Sequence, residues 1–240
     1  MSLLLTHATQ YAGPGSVQAL QKTHTQIFCH DASFADPRLA TAFEQAHAGT
    51  IALAAQDPAA IAAELQQRGA VIETLIHNDV YPNQPAAIEK VDLNRLRATV
   101  EALLIFPWQL TQLLMPAMKQ RNMGRIIFIT SARYLQPEEG FAVATSVRAA
   151  TTQFALALAR ECAPHQISVN VIAPNFLASE AYYPRAQYAE SEEGRAFVAK
   201  HVPFGRLGTP EEMGALVAFL AAGNAPFVTG QVIHFTGGWP

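Results

Sequence analysis

Residues 131–148 read SARYLQPEEGFAVATSVR, and two of them carry groups at a spacing that could do chemistry. Ser131 offers a hydroxyl that can hold a substrate oxygen. Arg148, on a helix-patterned segment, offers a guanidinium that stays charged and can raise the acidity of a neighbouring phenol. The pair lacks a group that takes a proton. Ala144 has only a methyl to offer, and the nearest phenol in sequence is Tyr134, three residues after the serine.

The chain around this pair alternates short, β-rich apolar runs with helix-patterned segments. The runs LLLTH (3–7), QIFCH (26–30), TIAL (50–53), VIETLIHN (71–78), GRIIFITS (124–131), ISVNVIAP (167–174) and GQVIHFTGG (230–238) read as strands. Between them lie segments such as PAAIAAELQQRG, with apolar residues at helical spacing and a closing glycine. Seven strands and about six helices predict an α/β domain over residues 1–240: a doubly wound, Rossmann-like parallel sheet with helices on both faces. Ligands of such sheets bind outside the carboxyl ends of the strands. The residues after LLLTH, IHN, FITS and VIAP are therefore expected to face one crevice, with Ser131 at its edge.

Composition narrows the partners. Of 240 residues, 50% are hydrophobic and 15% charged, and the net charge is −3, so no basic footprint for nucleic acid or an anionic membrane is present. A small-molecule substrate is expected. Cys29 and Cys162 lie far apart and read as buried thiols, and the amino terminus MSLLLTHATQ carries no basic, apolar leader pattern, so a cytoplasmic location is expected. No continuous apolar run of about eighteen residues is visible, and the histidines lack a spacing such as H-x3-H, so neither a membrane span nor a metal site is expected.

After the first strand, a dinucleotide enzyme needs glycines that let backbone amides approach a pyrophosphate. Here the segment is THATQYAGPGS. It resembles the T-G-x-x-x-G-x-G of short-chain dehydrogenases and reductases in Thr6 and Gly13, but His7 and Tyr11 stand where the first two glycines belong. The Gly13–Pro14–Gly15 stretch leaves open a glycine turn of another geometry. HND at 77–79, FITS ending at Ser131, VNVIAPNF, and PFGRLGTPEEMGALVAFLA followed by FVTGQVIHFTGGW resemble the same superfamily, so the likeness spans the chain and implies its fold and a homotetramer. Asp31 stands where a ribose-binding acid would sit and reads, without the glycines, as loop polarity.

Within this superfamily the chain resembles the halohydrin dehalogenases, in which a halide pocket replaces the nucleotide. The likeness rests on Thr6, Tyr11 and Ala12, on CHDASFAD, and on PNFL before YYP. It implies interconversion of vicinal haloalcohols with epoxides and halide, and epoxide opening by small anions, without a cofactor. Ser131 and Arg148 match the family's S-x12-Y-x3-R, with Ala144 at the tyrosine position. The resemblance assigns the halide and substrate pocket to Tyr11, Pro174, Asn175, Phe176, Leu177 and Tyr183. Because a methyl cannot accept a proton, slow dehalogenation is expected unless Tyr134, or a water held by Ser131 and Arg148, acts as base. A nicotinamide-dependent reductase and a noncatalytic pocket protein of the same fold remain the alternatives.

Overall fold

A computed structural model describes residues 2–82 and 84–240; Met1 and Asn83, inside the expected domain, lie outside the described residues. The strands are β1 (Ser2–Leu5), β2 (Gln26–His30), β3 (Thr50–Leu53), β4 (Ile72–His77), β5 (Gly124–Ile129), β6 (Ile167–Pro174) and β7 (Val232–Phe235). They form one parallel sheet in the order β3-β2-β1-β4-β5-β6-β7. The α-helical segments are α1 (Gly13–Leu20), α2 (Pro37–Ala46), α3 (Pro58–Gln67), α4 (Leu93–Val100), α5 (Phe106–Arg121), α6 (Ala142–Cys162), α7 (Glu192–His201) and α8 (Pro210–Ala221). That is eight among the described residues where the periodicity predicted about six.

Alternate strand residues point to opposite faces, and both faces are covered. Leu4, Phe28, Leu75, Ile126, Phe128 and Val169 pack with Ile61 and Leu65 of α3, Leu110 and Met118 of α5, and Leu158 of α6. Leu3, Leu5, Ile27, Ile76, Ile127 and Ile129 pack with Val17 and Leu20 of α1 and with Met213 and Val217 of α8. Each such side chain, fully buried, contributes about 1.5–3 kcal/mol, which explains why the strands read as unbroken apolar runs. A π-helical turn, Glu101–Ile105, joins α4 to α5 into one helix, Leu93–Arg121, with a mean hydropathy of 1.2 over its most apolar window. By length and composition it could cross a bilayer, a span the sequence did not suggest because polar residues interrupt every apolar run.

Four strands end earlier than their sequence runs, and the departing residues build the crevice floor. Thr6 and His7 leave β1, Asn78 and Asp79 follow β4, and Thr130 and Ser131 follow β5. At the seventh run, Gly230, Gly237 and Gly238 take positive φ outside the strand. Asp79 is buried, and its Oδ1 accepts a hydrogen bond from Thr6 Oγ1 at 2.8 Å. His7 Nδ1 lies 3.3 Å from Oδ1 and His77 Nδ1 3.5 Å from Oδ2. Asn78 completes the tie, donating to the His7 and Gln10 carbonyls (both 2.9 Å) while its own N–H reaches Thr6 Oγ1.

Burial alone would push the Asp79 carboxyl up, but His7 and His77 outweigh it and hold it well below the usual carboxylate range. A depressed folded-state pKa stabilises the fold above the unfolded value, near 4, and that stabilisation fades only as pH falls through the lower folded value. Asp79→Asn is therefore expected to cost about 1–3 kcal/mol at neutral pH. Denaturant midpoints measured against pH check this: the gap between parent and variant should persist to pH 4 and narrow only below it.

Candidate active site

The loop between β1 and α1 keeps the bend of a phosphate cradle without its openings. His7 and Tyr11 adopt φ of 48° and 51°, in the left-handed region where glycine is the usual occupant. The loop amides are turned inward: Ala8 N bonds His30 O, Thr9 N bonds Asp31 Oδ2, Gln10 N bonds His7 O, Ala12 N bonds Asn78 Oδ1 and Gly13 N bonds Gln10 O. Gly13 and Gly15 form no second phosphate turn. They belong to α1, where a Cβ on Gly13 would collide with the Ala8 carbonyl and one on Gly15 with the Pro210 carbonyl of α8.

The ribose-binding position is equally committed. Asp31 Oδ2 accepts from Thr9 N and Oγ1, and Oδ1 from Ser33 N and Oγ, at 2.7–3.1 Å. Burial raises this carboxyl and the four bonds more than offset it, leaving it below its ordinary value. His30, beside it, is buried without a hydrogen-bond partner, and burial with His7 as neighbour lowers it to about 4. With five of the loop amides already bonded and side chains at His7 and Tyr11 where the cradle needs glycine, these residues do not fit a nicotinamide dinucleotide.

Above this floor lies a cavity of about 410 Å³, and all nine residues singled out from the sequence line it: Tyr11, Ser131, Ala144, Arg148, Pro174, Asn175, Phe176, Leu177 and Tyr183. Ser131 caps the 3-10 turn that follows β5, its Oγ accepting from Arg133 N at 3.2 Å. Arg148, on the second turn of α6, is buried, and its position is set by two backbone carbonyls. Nη1 donates to Ile129 O at 3.0 Å and Nη2 to Asp79 O at 2.8 Å. Its remaining side-chain partner is Tyr182 Oη, 3.2 Å from Nη2. Ala144, one turn earlier on α6, presents its methyl to the cavity.

Tyr134 does not take part. Its hydroxyl pairs with His234 Nε2 at 2.9 Å on the outer side of β7, and it is absent from the cavity wall. The reason is the 3-10 turn Ala132–Leu135, which carries Arg133, not Tyr134, toward the pocket. Arg133 Nε lies 3.3 Å from Glu138 Oε1, its guanidinium sits 4.2 Å above the Phe141 ring, and Nη2 reaches Tyr183 Oη at 3.4 Å.

The turn after β6 makes the other wall. Phe176 has φ of 58°, which folds the chain back so that its carbonyl accepts Gly208 N while Asn175 N reaches Phe235 O. Among the described residues, the Phe176 and Leu177 amides have no hydrogen-bond acceptor. Asn175 is buried, with Oδ1 accepting from Tyr183 Oη at 2.8 Å and Nδ2 without a partner. Burial pushes the Tyr183 phenol up to about 12, with Arg133 opposing, so it keeps its proton and donates it to Asn175 Oδ1. No group of histidine, cysteine and carboxylate side chains able to hold a metal occurs among the described residues.

Sequence reasoning missed Arg133, the Asp79 tie and the contact of Arg148 with Tyr182, which stands next to the Tyr183 assigned to the pocket. The YY pair was the available signal. Only the fold decides which ring meets the arginine.

A family model described as enoyl-(acyl carrier protein) reductase matches residues 13–240. The solved structure of a halohydrin dehalogenase (HheC) bound to ethyl (2S)-oxiran-2-ylacetate has a TM-score of 0.96 to this chain and 34% identity, covering 100% of this chain and 97% of that one. Another, described as a dehalogenation enzyme, has a TM-score of 0.93 and 34% identity, covering 100% and 98%. Among curated proteins, the 3-oxoacyl-[acyl-carrier-protein] reductase FabG of Salmonella typhimurium is 36% identical over 139 residues, 58% of this chain and 55% of the reductase. The matched region thus spans about half the length of that relative. Taken with the seven-stranded parallel sheet, these matches show that the chain belongs to the short-chain dehydrogenase/reductase family.

Proposed function

We propose that this protein is a halohydrin dehalogenase-type lyase that interconverts vicinal haloalcohols with epoxides and halide without a nucleotide. The observation that carries the reading is the exchange at one crevice. Tyr11 stands where phosphates would enter, and the Pro174–Leu177 turn, whose Phe176 and Leu177 amides have no acceptor among the described residues, lines the same cavity as Ser131 and Arg148. In ring closure the substrate hydroxyl loses its proton, its oxygen bonds the neighbouring carbon, and the carbon–halogen bond breaks to release halide. Ser131 holds that oxygen, Arg148 meets its growing negative charge, and the pocket around Asn175 receives the halide. In reverse, a small anion from the same pocket opens the epoxide. The full-length likeness to a dehalogenase bound to an epoxide supports this assignment.

The curated reductases favour the other reading, hydride transfer from a nicotinamide. Against it stand the inward-turned loop amides and the arginine at position 148. Incubation with 2-bromoethanol and no nucleotide separates the two. Bromide release is expected, falling about a hundredfold or more in Ser131→Ala, and NADH and NADPH should not bind at micromolar concentrations. No halide release together with low-micromolar binding of either nucleotide would replace the proposal with the reductase.

We propose further that the chain works as a homotetramer in the cytoplasm. Leu93, Trp108 and Leu113 expose apolar surface along the α4–α5 helix, and partner subunits would cover it. Light scattering at micromolar concentration is expected to give four times the 26.0 kDa chain mass, and a monomer would refute it.

A further inference from the structure

Within the dehalogenase reading, on which this inference rests, the proton has no obvious destination, because α6 carries Ala144 where the family places its phenol. We propose that Tyr182, from the loop after β6, is the group that exchanges this proton with the substrate oxygen. Five tyrosines line the cavity: Tyr11, Tyr81, Tyr182, Tyr183 and Tyr188. Among the described residues, only the Tyr182 hydroxyl is hydrogen-bonded to the Arg148 guanidinium, at 3.2 Å. The Tyr183 hydroxyl is committed to Asn175. Tyr11 is buried and its phenol lies far above its ordinary value, with burial outweighing the nearby Arg148, so it stays protonated.

The surroundings of Tyr182 suit a proton carrier. Its ring stands edge-on to Tyr11 with centroids 4.9 Å apart, and a closed turn fixes its backbone, Tyr182 N and Tyr183 N both bonding Ser179 O. Its hydroxyl donates to Tyr81 O at 3.2 Å, at the half-exposed rim formed by Tyr81 and exposed Pro82, so the proton has a route to solvent. Arg148 does not need this phenol for its own position, since the Ile129 and Asp79 carbonyls hold it. The contact therefore aims the guanidinium's charge at the phenol oxygen and leaves the rest of the frame independent of it.

The chemistry balances in both directions. In ring closure the Tyr182 phenolate takes the hydroxyl proton as the oxygen–carbon bond forms and halide leaves, and the proton then passes to solvent at the rim. In epoxide opening the neutral phenol gives its proton to the epoxide oxygen as the anion bonds carbon and the carbon–oxygen bond breaks.

Tyr182→Phe keeps the ring and its packing on Tyr11 and removes only the hydroxyl. With 2-bromoethanol as probe, it should lower kcat for bromide release about a hundred- to ten-thousandfold while KM changes only a few-fold. Tyr134→Phe should change nothing. Adding Ala144→Tyr to Tyr182→Phe should restore much of the lost rate, because a phenol again faces Arg148. If Tyr182→Phe keeps its kcat while Ser131→Ala abolishes release, the dehalogenase reading stands and Tyr182 is not the proton carrier. A loss in Tyr182→Phe that comes with a parallel rise in KM and no rescue by Ala144→Tyr also overturns the assignment, leaving a structural role. If the parent chain releases no bromide at all, the dehalogenase reading fails and takes this inference with it.

Discussion

The buried carboxylate of Asp79 ties together the ends of two central strands, and the main-chain carbonyl of the same residue helps hold the buried Arg148 guanidinium at the cavity. Thr6, His7 and His77 converge on its oxygens from β1 and β4, and its carbonyl receives Arg148 Nη2. A carboxylate removed from water is costly unless several donors meet it, and meeting them fixes the register of everything attached. The start of the Thr6–Gly13 loop and the end of β4 are thus held together at the cavity floor by one carboxylate, beside the two main-chain carbonyls that hold Arg148.

That tie also explains how a nucleotide-type fold can hold a different site. In a dinucleotide enzyme the first loop leaves its amides free for phosphate oxygens. Here Asn78, His30 and Asp31 claim those amides, and residues at positive φ keep the bend that glycine would otherwise make. The volume released is filled by the Tyr11 ring. Across the cavity, among the described residues, the reversal at Phe176 leaves the Phe176 and Leu177 amides and Asn175 Nδ2 without acceptors.

Much of the fold was legible because strands buried on both faces must read as apolar runs, and QIFCH, TIAL and ISVNVIAP coincide with β2, β3 and β6. The run ends were not legible, because Thr6 and Asn78 leave the sheet to make side-chain bonds with residues distant in sequence, 73 positions apart for Thr6 and Asp79, while Ser131 leaves it to cap the turn that follows. Loss of the glycine cradle was plain in THATQYAG, whereas Gly13 and Gly15 looked available for another turn until the packing of α1 on α8 accounted for Gly15. Sequence placed Ser131, Ala144 and Arg148 beside one another because strand end and helix are local. It could not choose among the tyrosines, since Tyr134 and Tyr182 differ only in how their loops fold back.

The most direct test of the central claim, that an anion pocket stands where this fold usually receives a nucleotide, is anomalous scattering from crystals soaked in bromide. The account predicts a bromide bounded by Asn175 Nδ2, the Phe176 and Leu177 amides and the rings of Tyr11 and Tyr183. Water alone in that pocket at high bromide, or a dinucleotide bound across the Thr6–Gly13 loop in a parallel soak, would contradict it.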